Sequence, residues 1–170
     1  MTPKLKMAMV GGGEGSFIGD VHRQAAALDG RIELVAGAFS SKAAKSQAVA
    51  RDLGLDPARA YGSYDELVGR ESLLPERTRP DIVCIAAPND LHLPVAKAAL
   101  EAGFHVVCDK PMTVTLDEAR ALKRVVDKSG RVFALTHNYT GYPMSKLARD
   151  LVRRGNLGKV RKVVVQYKQG

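Results

Sequence analysis

Short apolar runs rich in β-formers alternate with segments of helical period along the chain, and glycines mark most of the changeovers. The strand-like runs fall at residues 6–10, 33–39, 81–87, 105–108 and 131–136, and helical periodicity fills 19–28, 42–53, 93–102 and 116–128. Gly30, Gly54, Gly103 and Gly130 follow the helical stretches, where a helix C-terminus needs a left-handed residue. Ser63-x-x-Glu66 and Thr115-x-x-Glu118 carry the capping-box pattern of a helix start. Residues 70–80, with Pro75, Pro80 and mixed charge, read as an exposed loop. The run Ile82-Val83-Cys84-Ile85-Ala86-Ala87 does not alternate, as expected of a strand covered on both faces. Parallel neighbours need crossovers, and four helical segments of suitable length lie between the strands, so the pattern predicts an α/β fold built on a doubly wound parallel sheet.

Composition narrows this picture without changing it. With 170 residues, 45% hydrophobic and 26% charged, the chain carries the apolar mass for one sizeable core, which excludes disorder as the default. No apolar run approaches the roughly 20 residues of a membrane span, and the start does not read as a secretory signal, so the expectation is a soluble, cytoplasmic protein without a membrane partner. Charge is uneven. Of the net +8, residues 146–170 hold +7: Lys146, Arg149, Arg153, Arg154, Lys159, Arg161, Lys162 and Lys168 stand against Asp150. The rest is nearly neutral and no aromatic residues interleave with the basic ones, a poor basis for binding nucleic acid. Cys84 and Cys108 sit in apolar runs and read as reduced core thiols; neither has a second ligand at zinc-type spacing, so no metal site is expected.

The candidate chemistry lies just past the strand ends, where open α/β sheets bind ligands. Gly11-Gly12-Gly13-Glu14-Gly15-Ser16-Phe17-Ile18-Gly19 follows the first strand and opens a helix, the context of a dinucleotide fingerprint. Gly11 and Gly13 match its first two glycines; Ser16 holds the next position and Gly19 is the next suitable glycine. The second strand ends in Phe39-Ser40-Ser41 with no acid to select a ribose 2′-hydroxyl, which leans towards NADP; Ser40 or Ser41 reads equally as the N-cap of the helix at 42. Ala87-Pro88-Asn89-Asp90-Leu91-His92 and Cys108-Asp109-Lys110-Pro111 follow the next two strands, and His137-Asn138-Tyr139 the last. Lys110 offers an ammonium that can hold a reacting hydroxyl, and Pro111 stiffens its turn, with a cis bond compatible with the sequence. Asn89 or Asp90 reads also as a helix N-cap and His92 as serving the start of that helix, while His22 and His105 read as structural.

These motifs together resemble the N-terminal half of the Gfo/Idh/MocA family of nicotinamide-dependent oxidoreductases. The likeness is carried by the glycine turn with Gly19-x-x-His22, Val35-Ala36-Gly37, Pro88-Asn89-x-x-His92, Ala102-Gly103-x-His105-Val106-x-Cys108-Asp109-Lys110-Pro111 and Arg154-Gly155-x-Leu157-Gly158. The resemblance implies a Rossmann domain over 1–144 that binds NAD or NADP through Gly11, Gly13, Gly15, Ser16, Phe17, Ile18, Gly19, Ser40, Ser41, Ala87, Pro88, Asn89, His92, Asp109, Lys110 and Asn138. It implies that Gly11, Gly13 and Gly19 surround the pyrophosphate and that Asn89 and His92 lie on the nicotinamide side. Asp109 and Lys110 then stand for the family's Glu-Lys-Pro motif, with Lys110 as the catalytic residue on the hydroxyl of a sugar or polyol. Residues 145–170 are expected to form a connecting helix (145–154) and the first strand (159–168) of a C-terminal α/β domain absent from this chain. In a full-length form that domain would complete the substrate pocket and pair subunits through its sheet. A non-catalytic dinucleotide-binding module, acting as a sensor or partner subunit, is the alternative expectation.

Overall fold

The computed structural model of the protein describes residues 3–168; the outermost residues of the two expected segments, 1–2 and 169–170, lie outside the described residues. The chain divides into two compact units, Met1–Thr136 and His137–Gly170.

The first unit is a five-stranded, all-parallel sheet. Its strands are β1 (Leu5–Gly11), β2 (Ile32–Ala38), β3 (Ile82–Ala86), β4 (His105–Cys108) and β5 (Phe133–Leu135), in the order β2-β1-β3-β4-β5. The helices are α1 (Phe17–Ala27), α2 (Ala43–Asp52), α3 (Tyr64–Glu71), α4 (His92–Glu101) and α5 (Leu116–Ser129). Side chains alternate across each strand. Met7, Met9, Phe39 and Cys84 form one core with Ala26 of α1 and Ala50 of α2, while Ala8, Val10, Val83, Ile85, Val106 and Cys108 form the other with α3, α4 and α5. The sheet is therefore doubly wound, as the unbroken apolar runs require. The connection out of β1 leads to β2 on one side, whereas β3 lies on the other, so the chain reverses its direction of winding between β1 and β3 and opens a crevice at their carboxyl ends.

Local signals account for the element ends. Thr115 forms a complete capping box with Glu118, and Ser63 accepts from the Glu66 N–H at 3.1 Å while Glu66 reaches back to the Gly62 N–H. Gly30, Gly54, Gly103 and Gly130 all adopt positive φ after their helices. Helix α3 begins at the Ser63 signal, but its eight residues were too few to register as a helical period. The expected exposed loop at 70–80 is corrected at its start. Glu71 is fully buried, held by the Arg59 guanidinium (Nε to Oε1 3.0 Å, Nη2 to Oε2 2.5 Å) and by the Tyr61 hydroxyl at 2.7 Å. Arg59 also donates to the Thr78 carbonyl at 3.1 Å, so one buried carboxylate ties the turn before α3 to the connection that follows it. The bond to Glu71 holds the Arg59 pKa above its ordinary value, and burial with the same carboxylate nearby pushes the Tyr61 hydroxyl up.

In the second unit a 3-10 turn (Asn138–Gly141) leads into α6 (Pro143–Arg153), which starts on Pro143, where a missing N–H costs nothing. The expected helix at 145–154 is thus present and begins two residues earlier. The strand expected at 159–168 is not formed; Val160, Val163, Val164 and Val165 are exposed. A strand is stabilised by its ladder, and no described strand pairs with this segment. Among the described residues no helix is long and apolar enough to cross a membrane.

Two outcomes follow from these packing relations. Glu71→Leu leaves a largely buried guanidinium without its partner and lowers the unfolding free energy in urea by about 3 kcal/mol, whereas Tyr61→Phe costs about 1 kcal/mol. Burial pushes the Cys84 and Cys108 thiols up to about 12, and they face opposite sides of the sheet. Iodoacetamide at pH 8 therefore labels neither thiol in the native protein and both after denaturation, as read by mass spectrometry.

Candidate functional site

The crevice between β1 and β3 is walled by the turn that leaves β1, and its shape is set by close contacts around four glycines. Gly11, at φ +80°, lies so near the end of β3 that a Cβ there would sit 2.3 Å from the Ala86 carbonyl oxygen; the Gly12 N–H donates to that same oxygen at 3.1 Å. A Cβ on Gly13 would lie 2.4 Å from the Phe39 carbonyl oxygen at the end of β2, and one on Gly19 would lie 2.4 Å from the Gly12 Cα. The turn is thereby pressed against β3, β2 and α1 at once, and any side chain at these points would lift it away.

Beyond these contacts the turn opens outward. Ser16 caps α1, its Oγ accepting from the Gly19 N–H at 3.1 Å. The N–H groups of Glu14, Gly15, Phe17 and Ile18 have no partner among the described residues. A Cβ on Gly15 would meet nothing within 4 Å. Free amides at a helix N-terminus, with open space beside them, fit a pyrophosphate. Arg23, which sequence reasoning passed over, anchors the turn from below: its Nη1 donates to the Gly12 carbonyl at 2.7 Å and its other end pairs with Asp20. Its spacing of four from Gly19 on α1 was the available signal, since that places both on one helix face.

At the end of β2, Phe39 is 3% exposed and its N–H is held by Ser46 Oγ at 3.0 Å. Ser40 Oγ accepts from the Lys42 N–H at 3.2 Å, and Ser41 is exposed. Neither serine is the helix cap, because α2 starts at Ala43 with Lys42 in the cap position. No carboxylate stands among residues 38–42 at this strand end, and Glu14 of the glycine turn pairs with Lys45 at 4.0 Å.

The ends of β3 and β4 supply the other wall. Pro88, Asn89 and Lys110 are exposed and Ala87 is half-buried. Asn89 and Asp90 belong to a short 3-10 turn (Asn89–Leu91) and cap nothing, since α4 starts after Leu91 without a side-chain cap. The Asp109 N–H donates to the Ile85 carbonyl at 3.0 Å, and Thr136 Oγ1 donates to Asp109 Oδ1 at 2.9 Å. The Lys110-Pro111 peptide is cis. The Lys110 ammonium makes no hydrogen bond or ion pair among the described residues and is free for a ligand. His22 on α1 is half-buried, its Nε2 without a partner; burial pushes its pKa down, and the Asp109 charge offsets part of that.

Of the other two expected residues, one is buried at this same edge and the other belongs to the second unit. His92 is 1% exposed, with both ring nitrogens against backbone carbonyls, so it presents no surface to a nicotinamide. Asn138 lies in the 3-10 turn of the second unit. The remaining residues, from Gly11 through Gly19 with Ser40, Ser41, Ala87, Pro88, Asn89, Asp109 and Lys110, all lie at the carboxyl edge of one sheet, beyond the ends of β1, β2, β3 and β4.

Fold and edge together define a dinucleotide-binding α/β domain of the Rossmann type. The pattern of the family described as "Oxidoreductase family, NAD-binding Rossmann fold" matches residues 5–137, and the chain belongs to this Gfo/Idh/MocA family. It is 36% identical over its whole length to the uncharacterized oxidoreductase YfiI of Bacillus subtilis, of which it covers 43%. It is 36% identical over 134 residues to a D-xylose 1-dehydrogenase (NADP(+)) of Hypocrea jecorina, covering 78% of this chain and 32% of that protein. The crystal structure of an inositol dehydrogenase homolog complexed with NAD+ from Azotobacter vinelandii superposes with a TM-score of 0.90 at 39% identity, over 95% of this chain and 41% of the other. The chain thus spans less than half the length of these relatives.

The steric role of the turn has a direct test. Gly13→Ala, which must displace the turn from the Phe39 carbonyl, raises the Kd for NADH by at least about tenfold, or 1.4 kcal/mol, in a fluorescence titration. An unchanged Kd would show that the turn does not form the nucleotide site.

Proposed function

We propose that this chain is the nucleotide-binding part of an NAD(P)-dependent oxidoreductase that moves hydride between nicotinamide and a carbinol or carbonyl carbon of a sugar or polyol. The observation that carries the reading is the convergence, on one sheet edge, of a glycine turn with free amides and an unpaired lysine. The D-xylose and inositol activities named for the relatives above support the substrate class.

The nicotinamide, when bound, supplies the hydride donor or acceptor. The protein's own part begins with the free N–H groups of Glu14, Gly15, Phe17 and Ile18, which hold the pyrophosphate and so fix where the rest of the nucleotide can reach. Ser40 and Ser41 face the adenosine ribose without an opposing carboxylate, an arrangement that accepts a 2′-hydroxyl or a 2′-phosphate. Lys110 Nζ donates a hydrogen bond to the substrate oxygen. This hydrogen bond would stabilise the negative charge that the oxygen carries between hydroxyl and carbonyl, in either direction of the reaction. The Asp109 carboxylate, fixed by Thr136, sets the backbone from which Lys110 projects.

Residues 145–170 are read, on the same proposal, as the connection to a C-terminal α/β domain that closes the substrate pocket and pairs subunits in a full-length form. Titration with NADH and NADPH, followed by turnover assays on a panel of polyols and aldoses, tests the proposal. Saturable binding of at least one nucleotide by this chain is expected, with turnover in a full-length form that carries the C-terminal domain. Lys110→Ala then lowers kcat by about 100-fold or more while the nucleotide Kd stays within about twofold. No binding of either nucleotide would overturn the proposal, and binding without turnover would favour a non-catalytic sensor or partner subunit.

A further inference from the structure

The Lys110 turn is held unevenly. On its N-terminal side, Asp109 is fixed twice, through its N–H to the Ile85 carbonyl at 3.0 Å and through its carboxylate to Thr136 at 2.9 Å. On its C-terminal side, the hydrogen bond is supplied by a residue from another element: His92 Nδ1 lies 2.6 Å from the Pro111 carbonyl oxygen. The next hydrogen bond downstream among the described residues is made by the Thr113 hydroxyl, to the Thr115 carbonyl, within the lead-in to α5. The other His92 nitrogen, Nε2, lies 3.0 Å from the Ala87 carbonyl oxygen at the end of β3.

Ala87 connects this imidazole to the nucleotide turn, for Ala86 and Ala87 are the residues against which Gly11 is pressed, and Ala86 accepts from the Gly12 N–H. A continuous chain of contacts therefore runs from the glycine turn through Ala86, Ala87 and His92 to Pro111 and Lys110. Rigid and buried at the first residue of α4, the ring is well suited to transmit position. Both ring nitrogens face carbonyl oxygens, so a neutral ring donates to one of them at a time, and the contact to Pro111 is the shorter.

We propose that His92 is a positioning residue that sets the distance between the nucleotide turn and the Lys110 ammonium by holding the Pro111 carbonyl. The inference rests on Lys110 acting as proposed above. A lysine on a turn anchored at one end samples many positions, and a displacement of about 1 Å at a reacting group costs roughly 100-fold in rate.

Asparagine and glutamine separate the two contacts, because an asparagine side-chain N–H falls where Nδ1 stands and a glutamine N–H where Nε2 stands. Steady-state kinetics and NADH titration are compared in the full-length form, unmodified and as Lys110→Ala, His92→Leu, His92→Asn and His92→Gln, with circular dichroism melts as the control for folding. In His92→Leu, which keeps the side-chain volume, kcat falls about 100-fold while KM and the NADH Kd move less than about threefold. His92→Asn restores kcat to within about fivefold of the unmodified protein, and His92→Gln does not. Equal loss in all three His92 variants, or a loss that follows the melting temperature and not the retained Pro111 contact, would make His92 a packing residue and overturn the inference. So would full activity in His92→Leu beside an inactive Lys110→Ala. An active Lys110→Ala, or no turnover in the unmodified protein, would overturn the oxidoreductase reading and the role of His92 with it.

Discussion

One steric constraint organises the molecule: the turn after β1 must lie closer to its neighbours than any Cβ permits. Gly11 against Ala86, Gly13 against the Phe39 carbonyl, and Gly19 against Gly12 are contacts of backbone on backbone, which no rotamer change can relieve. They draw the carboxyl ends of β1, β2 and β3 and the N-terminus of α1 into one small volume. The topology makes that volume a crevice, since the winding reverses between β1 and β3. Everything assigned to the site depends on this compression. The amides of Glu14, Gly15, Phe17 and Ile18 are left free because the turn is pressed flat beneath them, with Arg23 holding the Gly12 carbonyl from the other side.

A second level of order comes from buried polar groups that join elements distant in sequence. Glu71 binds Arg59 and Tyr61 on the flank of the sheet, away from the crevice, where its contribution is to stability. His92 links Ala87 with Pro111 at the edge itself. The physical device is the same in both, a buried side chain with two or more fixed partners, but only the second joins the end of β3 to the Lys110 turn. Thr136, just after β5, holds that turn through Asp109.

Much of this was legible in the sequence because local rules and tertiary need agree. The strands at the centre of the sheet read as unbroken apolar runs, the capping residues at Ser63 and Thr115 do what their spacing says, and four helix-ending glycines adopt positive φ. Gly19 was recognisable as the last glycine of the turn although Ser16 holds the position where the fingerprint places it. The misses are equally physical. His92 was readable both as a ligand on the nicotinamide side and as serving the start of the next helix, since burial depends on what packs over it, and the Pro111 carbonyl that covers it lies beyond the end of β4. Glu71 was misplaced for the same reason: its partners, Arg59 and Tyr61, are themselves unremarkable in sequence. The valines at 160–165 show the converse, since β-propensity without a neighbouring strand yields no strand.

The central claim is that the carboxyl edge around the glycine turn is a nucleotide site. Amide chemical-shift mapping of the isotope-labelled protein during titration with NAD+ tests it most directly. The largest shifts are expected at residues 11–19, with further shifts at Ser40, Ser41, Asn89 and Lys110. Shifts centred instead on the groove between α4 and α5, lined by Lys97, Arg124, Lys128 and Arg131, would contradict it.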